Sequence, residues 1–189
     1  MTRPALGRLA PLLLCLALPA AATAADYRVL QDQSTLGFAA TFQGAPFQGS
    51  FAQWHAAIRF DAAHPANSKF DVTVDTTSAS TGDSDRDGAL PGADFFNATK
   101  YPQAHYVTTG FSRMDGTRVM ANGNLTLRGE THPLGLTVTF TPQPGGTALM
   151  DVSGTLKRLD YGVGGGEYAD TSVIGNDVTI NAHLVLAPK

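Results

Sequence analysis

Cysteine is almost missing from this chain: the only one, Cys15, lies in an N-terminal apolar run, and residues 25–189 have none. That excludes a disulfide scaffold and a cysteine nucleophile from this part of the chain, and any zinc site there would lack thiolate ligands. Leu14 precedes Cys15, where a lipid-modified cysteine would follow a small residue. Positive charge is sparse as well. Without Arg3 and Arg8, residues 25–189 carry 11 Lys and Arg against 16 Asp and Glu, a net charge of −5. No basic block or stripe is present, which argues against nucleic acid as a partner and against strong attraction to an anionic membrane. The apolar run at residues 9–18 is too short to span a bilayer, which takes about 20 apolar residues.

Catalytic and metal-binding patterns are missing too. His55, His64, His105, His132 and His183 are scattered, and no two have the i, i+2 or i, i+4 spacing of a ligand pair. There is no G-x-S-x-G elbow, and Val163-Gly164-Gly165-Gly166-Glu167 lacks the lysine and hydroxyl residue of a phosphate loop. No catalytic residue and no metal ligand is therefore assigned, and no cofactor is expected. Asp83-Ser84-Asp85-Arg86-Asp87-Gly88 does match the opening of an EF-hand calcium loop, with Asp94 at its twelfth position. Arg86 stands among the ligand positions, Pro91 and Gly92 oppose an exiting helix, and the segment before it alternates like a strand. It reads as a solvated acidic turn.

The N-terminus has the features of an export signal. Arg3 and Arg8 precede the short apolar run, and Ala22-Thr23-Ala24 offers a small-x-small cleavage site. The expected division is a signal peptide over residues 1–24 and a single domain over residues 25–189, exported to the periplasm.

Within that domain the dominant pattern is alternation with a period of two. Leu36, Phe38, Ala40 and Phe42 share one face of a segment, as do Leu134, Leu136, Val138 and Phe140, and Val178, Ile180, Ala182, Leu184 and Leu186. Further strands are expected over residues 47–60, 69–76, 104–113, 118–128 and 149–157. Turn signals separate many of them, notably Asp115-Gly116, Arg128-Gly129 and Pro144-Gly145-Gly146. Eight strands, several about ten residues long, favour an all-β, lipocalin-like, eight-stranded antiparallel barrel over a two-sheet sandwich. Residues 81–102 and 160–176 are too long for hairpin turns and are expected to hold short helical segments and to cover one barrel end.

Aromatic residues crowd the first strands, with Phe38, Phe42, Phe47, Phe51, Trp54 and Phe60 interleaved with alanine and glycine, and Phe95-Phe96 follow in the long connection. An eight-stranded barrel either fills its interior or holds one small ligand. The small residues favour a hollow lumen.

Four blocks resemble the YceI-like family of periplasmic polyisoprenoid-binding proteins. They are Phe47-Gln48-Gly49-Ser50-Phe51 with Ile58-Arg59-Phe60-Asp61; Arg86-Asp87 with Asp94-Phe95-Phe96 and Lys100-Tyr101-Pro102; Gly123-Asn124-Leu125-Thr126-Leu127-Arg128-Gly129 with His132-Pro133-Leu134; and Lys157-Arg158-Leu159-Asp160-Tyr161-Gly162 with Ile174-Gly175-Asn176-Asp177-Val178. Leu159 stands where the family more often has serine. The resemblance implies a lipocalin-like barrel that binds, without catalysis, a long isoprenoid chain such as a polyprenyl phosphate or quinone.

The expected lipid-binding residues are Phe38, Phe42, Phe51, Trp54, Phe95, Phe96, Tyr106, Leu125, Leu127, Leu136, Val138 and Phe140, with Tyr106 and Trp54 also offering polar tips. Arg86, Lys157 and Arg158 are the head-group candidates. Transient contact with a membrane or membrane protein is a further expectation. The alternative function is an interaction module with a filled lumen, binding a protein partner through its long loops.

Overall fold

Alternating apolar residues make strands whose inner faces bury one another, and here they close on themselves. The computed structural model describes residues 24–189, so the expected signal peptide, apart from Ala24, lies outside the described residues. Eleven strand segments are present: β1 (Ala25–Val29), β2 (Thr35–Phe42), β3 (Ala45–Phe51), β4 (Trp54–Phe60), β5 (Lys69–Asp75), β6 (Ala79–Ser80), β7 (Gln103–Arg113), β8 (Arg118–Leu127), β9 (Glu130–Pro142), β10 (Ala148–Lys157) and β11 (Asp177–Pro188). The pairing order is β1-β4-β5-β7-β8-β9-β10-β11, and β1 pairs with β11 to close an antiparallel barrel of eight strands.

The difference between eleven and eight has a structural cause. β2, β3 and β6 continue the lines of β1, β4 and β5, and β2 takes over from β1 as the partner of β11. The breaks fall side by side, at the 3-10 turn Gln31–Gln33, at Ala52 and Gln53, and at the 3-10 turn Thr76–Ser78. Backbone bonds cross the seam: Ala52 N–H donates to the Ser78 carbonyl at 3.1 Å, and Asp75 N–H to the Gln53 carbonyl at 2.9 Å. The first three barrel strands therefore bend together. The sequence reading missed β1 and ran residues 47–60 as one strand, whereas the inward face shifts from odd positions (Phe47, Phe51) to even ones (Trp54, Ala56, Ile58, Phe60) across Ala52 and Gln53.

Short turns join most neighbours. Arg128 and Gly129, between β8 and β9, both have positive φ, 53° and 85°, the two-residue hairpin geometry that favours glycine at its second position. The two long connections do contain short helical segments. α1 (Ser84–Ala89) lies in residues 81–102, and 3-10 turns occupy Arg158–Tyr161 and Gly166–Tyr168. Both connections sit at the same end of the barrel, where Gly164 N–H donates to the Asp94 carbonyl at 2.7 Å.

The opposite end is filled. Phe60 packs on Phe140 with ring centroids 4.7 Å apart, Phe70 on Phe111 at 4.9 Å, and Tyr27 on Phe140 at 5.8 Å. Phe111 reaches this cluster because the β7–β8 register shifts between Thr108 and Gly110. That bulge moves the inward face of β7 from even to odd positions.

Candidate functional site

Above the aromatic plug the lumen is hollow. The cavity measures about 210 Å³, more than the ~150 Å³ of an engineered apolar cavity that stays dry and takes up benzene. Small inward residues leave this space. Ala40 and Ala56 line it, and Gly49 sits opposite Phe38, where a Cβ would fall 2.3 Å from the ring. Phe38 thus lies flat over a glycine instead of crossing the lumen.

The hydroxyls of Tyr106 and Thr76 and the guanidinium of Arg158, around this chamber, are engaged by the protein. The Tyr106 hydroxyl donates to the carbonyls of Ala121 at 2.9 Å and Leu134 at 3.2 Å, and burial raises its pKa. It gains that position from Gly123, where a Cβ would lie 2.6 Å from the ring. The Thr76 hydroxyl bonds the Tyr101 and Pro102 carbonyls. Arg158 is 3% exposed and gives one donor to each of five carbonyls: Nε to Gly175, Nη1 to Val163 and Gly164, and Nη2 to Tyr168 and Ile174. Burial lowers its pKa from the ordinary guanidinium value. A wall of this kind favours an apolar chain and gives no polar group a partner.

Nine of the twelve residues expected to bind lipid line the chamber. Phe38, Phe51, Trp54 and Tyr106 come from the strands, with Leu125, Leu127 and Leu136, while Phe95 and Phe96 cover it from residues 81–102. The other three lie elsewhere. Val138 and Phe140 point inward but belong to the packed half of the barrel, and Phe42 emerges past the rim, 40% exposed. Phe42 shares the parity of Phe38, yet β2 outruns the barrel wall, so parity alone places it wrongly.

The polar roles are redistributed. Tyr106 has no free tip, since its hydroxyl is committed to two carbonyls. Arg158 has no free donor and organises residues 160–176 from within. Lys157 points outward to Asp177 at 2.9 Å. Arg86 is at the rim, its guanidinium 5.0 Å from the ring centre of the lining residue Phe47 and 3.3 Å from Asp83.

Several lining residues escaped the sequence reading. Phe70, Val72 and Val74 on β5, Met150 and Val152 on β10, and Ile180 and Leu184 on β11 obey the same alternation, which marks an inward face but not which of its residues border the chamber. Leu90, Val163 and Ile174 come from the long connections and carry no periodic signal. In sequence, Arg128 marks only a turn and a family block. Its guanidinium donates to Gly162 and Ala93, at 2.5 and 2.6 Å, and so fastens the two connections to the β8–β9 turn.

The acidic loop has local structural work. Asp83 accepts from Arg86 N–H at 3.0 Å and caps α1. Asp87 accepts from the Ser80 hydroxyl and from the Thr81 backbone and hydroxyl, which hold its pKa down at about 2. Among the described residues no three His, Cys, Asp or Glu side chains converge as a metal site would require.

Fold and chamber together define a lipocalin-like barrel with an apolar lumen capped at one end. The YceI-like domain matches residues 27–186, and the chain belongs to that family. It is similar to protein YceI of Shigella flexneri, 33% identical over 150 residues that cover 75% of this chain and 78% of the relative. Among solved structures, BcnA of Burkholderia cenocepacia superposes with a TM-score of 0.80 at 31% identity, covering 84% of this chain and 99% of that one. A polyisoprenoid binding domain from Saccharophagus degradans, implicated in plant cell wall breakdown, shares the fold with a TM-score of 0.63 at 17% identity, over 87% of this chain and 99% of that one.

Proposed function

We propose that this protein is a periplasmic carrier of a long-chain isoprenoid or related lipid, a polyprenyl phosphate or quinone, and that its role is binding and not catalysis. One observation carries the reading: an apolar chamber capped at one end, whose surrounding hydroxyls and guanidinium are spent on backbone carbonyls. Each methylene sheltered there contributes about 0.8 kcal/mol, so chain length supplies affinity and the head group stays near the rim. Likeness to a polyisoprenoid binding domain supports this at the level of the fold. The alternative, an interaction module, required a filled lumen, and this lumen is filled only in its lower half.

The test is native mass spectrometry on protein purified from the periplasm of its own cell, followed by lipid extraction. The expected result is one co-purifying lipid with a long apolar chain. Protein that emerges empty, and that takes up neither a polyprenyl phosphate nor a quinone when offered them, refutes the reading.

A further inference from the structure

Large apolar side chains exposed on this protein gather at the chamber mouth. Among the described residues four stand out, Phe42, Met114, Tyr168 and Val173, and all but Met114 lie at the capped end. Phe42 forms an isolated bridge with Ile174, and Gln43 N–H donates to the Val173 carbonyl at 2.7 Å. Arg158 Nη2 donates to both the Tyr168 and Ile174 carbonyls at 2.8 Å, which brings Tyr168 to the same place. The patch continues inward. The Tyr168 ring is 5.0 Å from that of Phe95, and Phe95 and Ile174 line the chamber.

Charge marks the same surface by its absence. Residues 33–58 include no Asp, Glu, Lys or Arg, although the tip of the β2–β3 hairpin, from Phe42 through Pro46, is exposed throughout. The exposed charges in the neighbouring connections are mostly acidic, Asp85, Asp94, Asp160, Glu167 and Asp170 against Lys100, with Arg86 half-exposed at the rim and paired to Asp83. An exposed hairpin without charge is unusual on a soluble surface, where apolar patches continuous with a pocket mark contact sites.

We propose that the β2–β3 hairpin tip, with Tyr168 and Val173, docks on the surface of a net-neutral, zwitterionic bilayer, so that the chamber mouth faces the membrane. The inference rests on the lipid-carrier reading for its purpose, but not for its test. An uncharged apolar tip enters the boundary between head groups and acyl chains, and the acidic flank disfavours an anionic leaflet. With so few apolar side chains inserted, attachment is brief and reversible, as exchange of a lipid requires.

The experiment is flotation of the intact mature protein with protein-free phosphatidylcholine vesicles, and with the same vesicles containing phosphatidylglycerol. Three proteins are compared: wild type, Phe42→Ser/Val173→Ser, and Met114→Ser at the opposite end as control. Thermal melts establish that all three are folded, with Val173→Ser alone as the substitute should the double variant unfold. The expected result is binding of wild type and Met114→Ser to phosphatidylcholine, about tenfold weaker binding of the double variant, and no gain from phosphatidylglycerol. Equal binding by the folded double variant overturns the proposal. So does failure of wild type to bind protein-free vesicles, which would point to a protein partner, or a concentration-dependent dimer abolished in the double variant, which would point to a second copy. Stronger binding to the anionic vesicles overturns the choice of membrane. Vesicle binding by a protein that neither carries nor takes up lipid would sink the carrier reading and leave the docking surface standing.

Discussion

The rings of Phe60 and Phe140 meet with centroids 4.7 Å apart and planes tilted by 40°. Four residues along β9 from Phe140, on the same inward face, Leu136 borders an empty chamber instead. Phe140→Ala removes the centre of the plug and is expected to cost about 3–5 kcal/mol, whereas Leu136→Ala, beside existing space, should fall near the low end of its class, about 2 kcal/mol. Urea unfolding of the two variants measures the difference. Equal losses would mean that the lumen is packed alike at both depths.

A charge at Leu136 tests the chamber directly. Leu136→Glu sets a carboxylate against an apolar chain with no partner for it. The variant is expected to stay folded, by circular dichroism and thermal melt, and to lose its lipid, by native mass spectrometry. A folded variant with its full lipid content would remove Leu136 from the ligand's path.

Arg158→Met abandons five carbonyls at once, two of them in buried and three in part-buried hydrogen bonds. Each unsatisfied group costs about 1–3 kcal/mol before relaxation or water entry, so a loss of roughly 3 kcal/mol or more is expected, with faster amide exchange concentrated in residues 160–176. Arg158→Lys should recover little, because an ammonium has only three donors. An unchanged melting temperature in either variant would show that the connection holds without this cation.

Asp87 predicts a pH dependence. Its folded pKa, about 2, lies below the ordinary 3.8, so its contribution is complete above about pH 4 and disappears as pH falls through 2. Asp87→Asn should be less stable than wild type at pH 7, and the gap should close between pH 4 and 2. A gap that persists undiminished at pH 2 would show that the carboxylate charge is not what holds Ser80 and Thr81.

Export should leave a chain starting at Ala25 or Asp26. β1 begins at Ala25, which pairs with Phe60, and Tyr27 belongs to the aromatic plug. Intact mass of the periplasmic protein checks this. Retention of residues 1–24, or trimming beyond Tyr27 without loss of stability, would contradict it.

The barrel was legible because a period of two is a local property that survives without knowledge of neighbours. Leu36, Phe38 and Ala40 on β2, and Leu134, Leu136, Val138 and Phe140 on β9, all face inward as their alternation requires. Strand number, antiparallel order and the capped end followed from strand lengths and two oversized connections. Depth did not follow. Whether an inward side chain meets the plug, the chamber or the rim separates Phe140, Leu136 and Phe42, yet depends on where the barrel closes and how far each strand overruns it. Alternation carries no such coordinate. The partners of polar groups were hidden for a related reason. Arg158 reads as a free cation in sequence, but its five acceptors are carbonyls of residues 163–175, and any residue type could supply them. Sequence determined which faces turn inward, because side-chain polarity dictates that strand by strand. Tertiary structure alone decided where the inside is empty, because a void is the space that distant residues jointly fail to fill.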